Sequence, residues 1–159
     1  MTKQEFSYRA IELEKSLYYT AKTILKNDDD CADAVQDALL TAYKKLPTLK
    51  QEEYFKTWIT RILINQCISM ARSRRYHEDI ETLSETSRAE PELELREIVM
   101  EINALDVKLR LPFVLYYSEG FTVREISRIL KISESNVKVR LHRARQALQQ
   151  KLGGIDYEA

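Results

Sequence analysis

Phe6, Ala10, Leu13, Leu17, Ala21, Ile24 and Leu25 recur at spacings of three and four, which places them on one face of a helix over Lys3–Lys26. The polar run Asn27-Asp28-Asp29-Asp30 ends that helix and can cap the next, because Asn and Asp oxygens accept from free backbone N–H groups. A second helix over about Cys31–Leu46 then buries Ala34, Val35, Ala38, Leu39, Ala42 and Leu46, and Pro47 stops it. After the polar loop Thr48–Glu53, a third helix covers about Tyr54–Ser73. Phe55, Trp58, Ile59 and Ile62 form one apolar side of it and Ile64 and Ile68 another, so neighbours should clamp it from two directions.

Arg74–Glu90 has little periodicity and many Ser, Thr and Glu, the composition of a flexible acidic linker or of a short surface helix. Pro91 suits the first turn of a fourth helix, where its absent N–H would be unpaired anyway, and Leu95, Ile98, Val99, Ile102 and Leu105 continue it. A fifth, around Lys108–Ser118, contains Pro112, which a helix tolerates only near its start or at a kink. Glu119-Gly120-Phe121 turns the chain. Thr122-Val123-Arg124-Glu125 is a capping box opening a short helix that buries Val123, Ile126, Ile129 and Leu130. That helix ends at Lys131-Ile132, and Ser133 caps a last one running to about Leu152. Two short helices around a tight turn, the second rich in Lys and Arg, form a helix-turn-helix pattern, here without the common turn glycine.

The pattern predicts an all-α chain of two small helical domains, residues 1–75 and 93–155, joined by a flexible acidic linker over 76–92. Only three Gly and three Pro among 159 residues favour helices over a turn-rich β fold. No run approaches the roughly 20 apolar residues of a membrane span. Met1–Phe6 has no apolar signal core, so a cytoplasmic protein without membrane insertion is expected.

A formal net charge of zero argues against a nucleic-acid binder until it is partitioned. Residues 1–75 carry 13 basic and 10 acidic side chains, residues 76–100 carry 2 and 8, and residues 101–159 carry 10 and 7. Two mildly basic blocks therefore flank an acidic middle. Asn136–Leu152 holds Lys138, Arg140, Arg143, Arg145 and Lys151 and no acid, a local field suited to phosphate. On a helical wheel Val137, Leu141, Ala144 and Leu148 share a narrow arc that must face the core. Ser135, Val139, His142, Arg143 and Gln146 fall opposite, Asn136 lies at the edge, and Lys138, Arg140 and Arg145 take the flanks. A buried stripe holding a helix while hydrogen-bonding groups project outward is what a major-groove reader needs, with flanking cations on phosphates. Val139 is placed to touch a thymine methyl.

In the third helix Arg61, Asn65 and Arg72 align at spacings of 4 and 7 beside the aromatic entrance Tyr54-Phe55-Lys56-Thr57-Trp58. Such a stripe can hold single-stranded bases by stacking and hydrogen bonds, although for Trp58 itself core packing is the better reading. Cys31 and Cys67 have no second Cys or His at metal-ligand spacing and read as small buried helix residues. His77 and His142 complete no catalytic or zinc constellation, and no Gly-rich phosphate loop is present. The chain is expected to have no catalytic residues, metal site or cofactor.

Asp33-Ala34-Val35-Gln36-Asp37, then Phe55-x-x-Trp58-Ile59-x-Arg61-Ile62-x-x-Asn65, then Asn136-Val137-Lys138-Val139-Arg140-Leu141-His142-Arg143-Ala144-Arg145 resemble the extracytoplasmic-function (group IV) sigma factors of bacterial RNA polymerase. The likeness covers most of residues 5–72 and 93–152. It implies a region-2 domain, a region-4 domain and a non-enzymatic factor that binds core polymerase, recognises minus-35 and minus-10 elements and directs initiation in a stress or envelope-signal response. By that resemblance Asp33, Gln36 and Asp37 dock on the β′ clamp helices. Arg61, Asn65 and Arg72, with the loop Leu46–Tyr54, serve the minus-10 element and its flipped base. Ser135, Asn136, Lys138, Val139, Arg140, His142 and Arg143 serve the minus-35 element, while region 4 meets the β flap. The family also admits an inhibitory anti-sigma partner, which no residue here identifies. Asn136 and Val139 depart from the Thr and small polar residue common around the Val-Lys pair, so promoter preference is expected to differ. A stand-alone helix-turn-helix regulator, or a module that binds polymerase without reading DNA, would not need both the Val35-Gln36-Asp37 motif and the Arg61/Asn65 stripe.

Overall fold

The computed structural model describes residues 1–75 and 93–153; the predicted linker and the start of the fourth helix at Pro91 lie outside the described residues. The described chain forms two compact units. One contains α1 (Lys3–Ile24), α2 (Asp28–Lys44) and α3 (Phe55–Arg75), and the other α4 (Leu93–Ala104), α5 (Val107–Tyr117), α6 (Val123–Leu130) and α7 (Glu134–Leu152). Every regular element described is helical, as the spacing predicts. No described helix is long and apolar enough to cross a membrane.

In the first unit the three helices pack on one another around a single core. Thr2 and Glu5 cap α1 reciprocally. Leu17 from α1, Ala34 and Ala38 from α2, and Ile59 and Leu63 from α3 are buried there. Full burial of a Leu or Ile contributes roughly 1.5–3 kcal/mol, so Leu17, Ile59 and Leu63 are each substantial contributors to the unit's stability. The Phe6 ring meets Phe55 and Tyr43 edge-on at 5.7 and 5.6 Å. Buried Thr20 and Thr23 return their hydroxyls to the carbonyls of Ser16 and Tyr19, so neither leaves an unsatisfied donor.

Several expectations change in detail. The second helix starts at Asp28, not Cys31: Asn27 adopts extended backbone and takes the Asp29 and Asp30 N–H groups on its side chain. That leaves Asp28, Asp29 and Asp30 in the first turn, where negative charge meets the positive helix end. The α1–α2 corner is closed by Asp28, which ion-pairs with Lys22 and accepts from the Tyr18 hydroxyl at 2.8 Å. The same helix ends at Lys44, and Leu46–Thr48 and Glu52–Tyr54 form two short 3-10 turns in the connection. Ile68 is not a second apolar side of α3 but is 36% exposed; Leu63 and Cys67 fill the core instead. The α3 clamp survives, since α1 and α2 both pack on it.

In the second unit α5 and α7 pack together, and α4 and α6 each lie against α7. Asp106 caps α5 by accepting from Lys108 N–H. Pro112 sits in the sixth position of that helix rather than near its start. Its missing N–H removes the usual helical donor to the carbonyl of Lys108, an exposed residue. Arg110 clips α4 to α5 by donating to the Asn103 and Leu105 carbonyls at 2.8 and 2.7 Å. Leu105, just past the end of α4, is buried, but Leu95 and Val99 within it are exposed, so the predicted stripe is only partly covered.

The capping box of Thr122 and Glu125 and the Ser133 cap both form as the sequence predicts. Between them the turn needs no glycine, because Lys131 itself takes the left-handed conformation at φ 56° and ψ 45°. Ser127 fastens this turn from both sides: its carbonyl accepts from Ile132 N–H at 3.2 Å, and its hydroxyl donates to the Ile132 carbonyl. A left-handed non-glycine residue is strained by about 1–2 kcal/mol. Glycine would remove that strain but loosen the unfolded chain by about 0.4–1 kcal/mol.

Cys31 and Cys67 form no disulfide and are both fully buried in the first core, as read from the sequence. Burial pushes the Cys67 thiol up to about 12, with the neighbouring Cys31 adding to the shift.

Lys131→Gly should therefore be neutral or up to about 1.6 kcal/mol more stable in urea unfolding, whereas Lys131→Val should lose at least about 1 kcal/mol. A marked loss on glycine substitution would show that the lysine side chain, not its backbone, holds the turn. At about pH 8 neither cysteine should react with a thiol-titrating reagent until denaturant is added. Rapid labelling of the native protein would contradict the buried placement.

Candidate functional site

The surface of α7 follows from its core stripe. Val137, Leu141, Ala144 and Leu148 are buried against the rest of the unit. With rotation fixed this way, Ser135, Asn136, Lys138, Val139, His142 and Arg143 are exposed and Arg140 is half-buried. Val139 stands 45% exposed among polar neighbours, a small apolar contact point in a hydrogen-bonding field. Arg140 Nε donates to Asn136 Oδ1 at 3.2 Å, one turn earlier. Asn136 thus orients a cation through its side-chain oxygen. All seven residues singled out on this helix fall on its uncovered side or flanks.

The first unit presents two further groups. Asp33, Gln36 and Asp37 are exposed on the face of α2 opposite its buried alanines. Gln66 Nε2 on α3 reaches Asp37 Oδ2 at 3.4 Å, tying that carboxylate to the neighbouring helix. The sequence reading missed Leu40. It is 54% exposed and lies three, four and seven residues beyond Asp37, Gln36 and Asp33, on their face. Tyr43, 41% exposed, extends the same row. The signal was present: a leucine in register with the polar set, out of register with Ala34, Ala38 and Ala42.

On α3, Asn65 and Arg72 are exposed and Arg61 is half-buried, so the helix carries all three on one face. Exposed Ile68 flanks that stripe, giving it an apolar border the sequence reading had assigned to packing. Trp58 packs against the first core beside Phe55, ring centres 6.1 Å apart, in keeping with the structural role expected of it. His77 lies outside the described residues, and His142 is exposed on α7.

Arrays of amide, guanidinium and apolar groups on two separate helices match surfaces that bind polymers. Family models agree with this division. Sigma-70 region 2 matches residues 11–76, and sigma-70 region 4 matches residues 95–148. The ECF RNA polymerase sigma factor SigW of Bacillus subtilis (strain 168) is 30% identical over 154 residues, covering 86% of this chain and 82% of SigW. The chain belongs to the ECF RNA polymerase sigma factors. The sigma-E factor of Escherichia coli (strain K12) is 31% identical over 141 residues, covering 77% of this chain and 74% of that one. Among solved structures, the sigma factor RpoE of Bartonella quintana, in complex with the anti-sigma factor NepR, matches with a TM-score of 0.83 and 25% identity. That match covers 96% of this chain and 99% of RpoE. This sigma factor therefore acts in promoter recognition and transcription initiation through a region-2 unit and a region-4 unit.

Leu40 makes a test of what its face is for. Leu40→Ala should leave the unfolding free energy within about 0.5 kcal/mol, as for a surface position, while Leu63→Ala should cost about 2–5 kcal/mol. A large loss at Leu40 in denaturant unfolding would reassign it to the core.

Proposed function

We propose that the three residue groups divide the work of initiation. Asp33, Gln36 and Asp37, with Leu40 as an apolar anchor, dock region 2 on the β′ clamp helices of core polymerase. An exposed leucine at the end of an acidic and amide row suits a partner surface that sets an apolar contact beside a basic patch. Arg61, Asn65 and Arg72, beside the Leu46–Tyr54 connection, hold the opened minus-10 element and its extruded base. Extrusion costs a few kcal/mol, which stacking and hydrogen bonding in a pocket must offset. In region 4, Ser135, Asn136, Lys138, Val139, Arg140, His142 and Arg143 read the minus-35 element, and the same unit meets the β flap.

The observation that carries this reading is α7. Four buried residues hold a helix whose outward side, from Asn136 onward, has bidentate donors, an apolar contact and no acid. Domain limits of 1–75 and 93–155, with 76–92 as connector, follow from this division. The chain works in the cytoplasm beside polymerase, carries no catalytic chemistry, and is open to control by an anti-sigma partner, since RpoE was solved with NepR.

The decisive experiment is run-off transcription with core polymerase on a library of random upstream sequences. Enrichment of paired minus-35 and minus-10 elements is expected; transcription without any sequence preference would refute the reading. Asp37→Ala and Leu40→Ala should each weaken core-polymerase binding, about tenfold for an anchor residue. Neither should change discrimination between minus-35 duplexes. Arg143→Ala should do the reverse, costing about 1–3 kcal/mol of discrimination if its guanidinium contacts a base edge.

A further inference from the structure

One contact of α7 belongs to none of these groups. Arg145 Nη1 donates to the Tyr117 hydroxyl at 3.2 Å, joining α7 to the last residue of α5 across 28 residues of chain. The Tyr117 ring is held in turn: its centre is 4.7 Å from that of Phe113 and 4.9 Å from that of Tyr116, the latter edge-on. Phe113 is buried and anchors the stack, while Tyr117 remains 39% exposed. Arg145 is half-buried and shares the flank of α7 with Lys138, seven residues or about 10 Å earlier along the axis.

The chemistry of the acceptor decides what this contact is for. A carboxylate holding Arg145 would neutralise it and would have to be released before a phosphate could bind. A phenol fixes the guanidinium without cancelling its charge. The hydroxyl, having accepted from Arg145, still has its own hydrogen to donate. Guanidinium and hydroxyl then present adjacent donors beside the recognition face, on side chains ordered before any ligand arrives.

We propose that Tyr117 and Arg145 form a phosphate clamp for one strand of duplex DNA at the flank of α7. Arg145 supplies charge and donors, and Tyr117 both orients it and adds a hydrogen bond. The clamp fixes the register of α7 in the groove and carries no sequence information itself. It rests on the reading of α7 as a DNA-binding helix and adds α5 to the interface.

The test uses holoenzyme reconstituted with each variant, an upstream duplex recovered from the random library and a scrambled duplex, with binding measured from about 50 to 200 mM KCl. Tyr117→Phe keeps the stacked ring and should weaken binding about 3- to 10-fold on both duplexes alike. Arg145→Gln should weaken binding on both and make the slope of log affinity against log salt shallower by about one phosphate contact. In the Arg145→Gln background, Tyr117→Phe should cost less than about twofold, because the two act together. Wild-type affinity in Tyr117→Phe, or an equal loss in both backgrounds, overturns the clamp. Arg143→Ala separates the two levels. If it abolishes discrimination between the duplexes while Tyr117→Phe is silent, the clamp alone is wrong. If discrimination is unaffected by Arg143→Ala, the reading of α7 fails and the clamp with it.

Discussion

The rotation of α7 about its own axis decides which side chains region 4 can offer to DNA, and Val137, Leu141, Ala144 and Leu148 fix that rotation by burial. Turning the helix by one residue would move the apolar stripe about 100° toward solvent and carry charged residues into the core, with a penalty of several kcal/mol. The rest of the unit supplies the wall against which this stripe is pressed. α5 packs alongside, α4 is clipped to α5 by Arg110, and α6 is set at its angle by the left-handed turn at Lys131. Hydrogen-bonding residues on the outer face are accurate only because the inner face is unambiguous.

Region 2 applies the same logic with smaller side chains. Ala34, Ala38 and Ala42 let α2 approach its neighbours closely, and Val35 and Leu39 fill the space beside them. Leu40 falls outside that set and stands one turn beyond Gln36 and Asp37, at the end of the acidic and amide row. On α3 the division is less clean. Arg61 is half-buried between solvent and core, and Ile68 borders the polar stripe, so this face mixes apolar and polar contact. Mixed faces suit unpaired bases, which present an apolar ring surface and a polar edge together.

These features were legible in the sequence to different degrees, for physical reasons. The face of α7 could be read because a 19-residue helix with a serine cap and a regular four-residue stripe has one consistent solution. The start of α2 could not: Asn27, Asp28, Asp29 and Asp30 are all capping residues, and only the backbone conformation at Asn27 selects it. Ile68 was misassigned because Ile64, four residues earlier, is buried, and spacing alone does not say where a neighbouring helix ends. Pro112 in the body of α5 shows the same limit, since where a proline falls within a helix depends on where the helix starts. The pairing of Tyr117 with Arg145 lies beyond any local pattern, because it joins two helices through tertiary packing.

Charge completes the picture. The formal zero conceals surpluses of three in residues 1–75 and three in residues 101–159, offset by a deficit of six between them. So small a surplus in either block gives little long-range attraction for DNA, and on the proposed roles each block alone would attach weakly. Neutral partners become important under that constraint. Asn136 and the Tyr117 hydroxyl orient Arg140 and Arg145 without neutralising them, so scarce cations stay available to the ligand. Two individually weak contacts still give firm binding when they are held at fixed separation, because the second then forms at a high effective concentration. Core polymerase bound to both units would supply that separation. On the proposed division of work, the near-neutral chain would hold DNA weakly by itself and gain promoter affinity in the assembly.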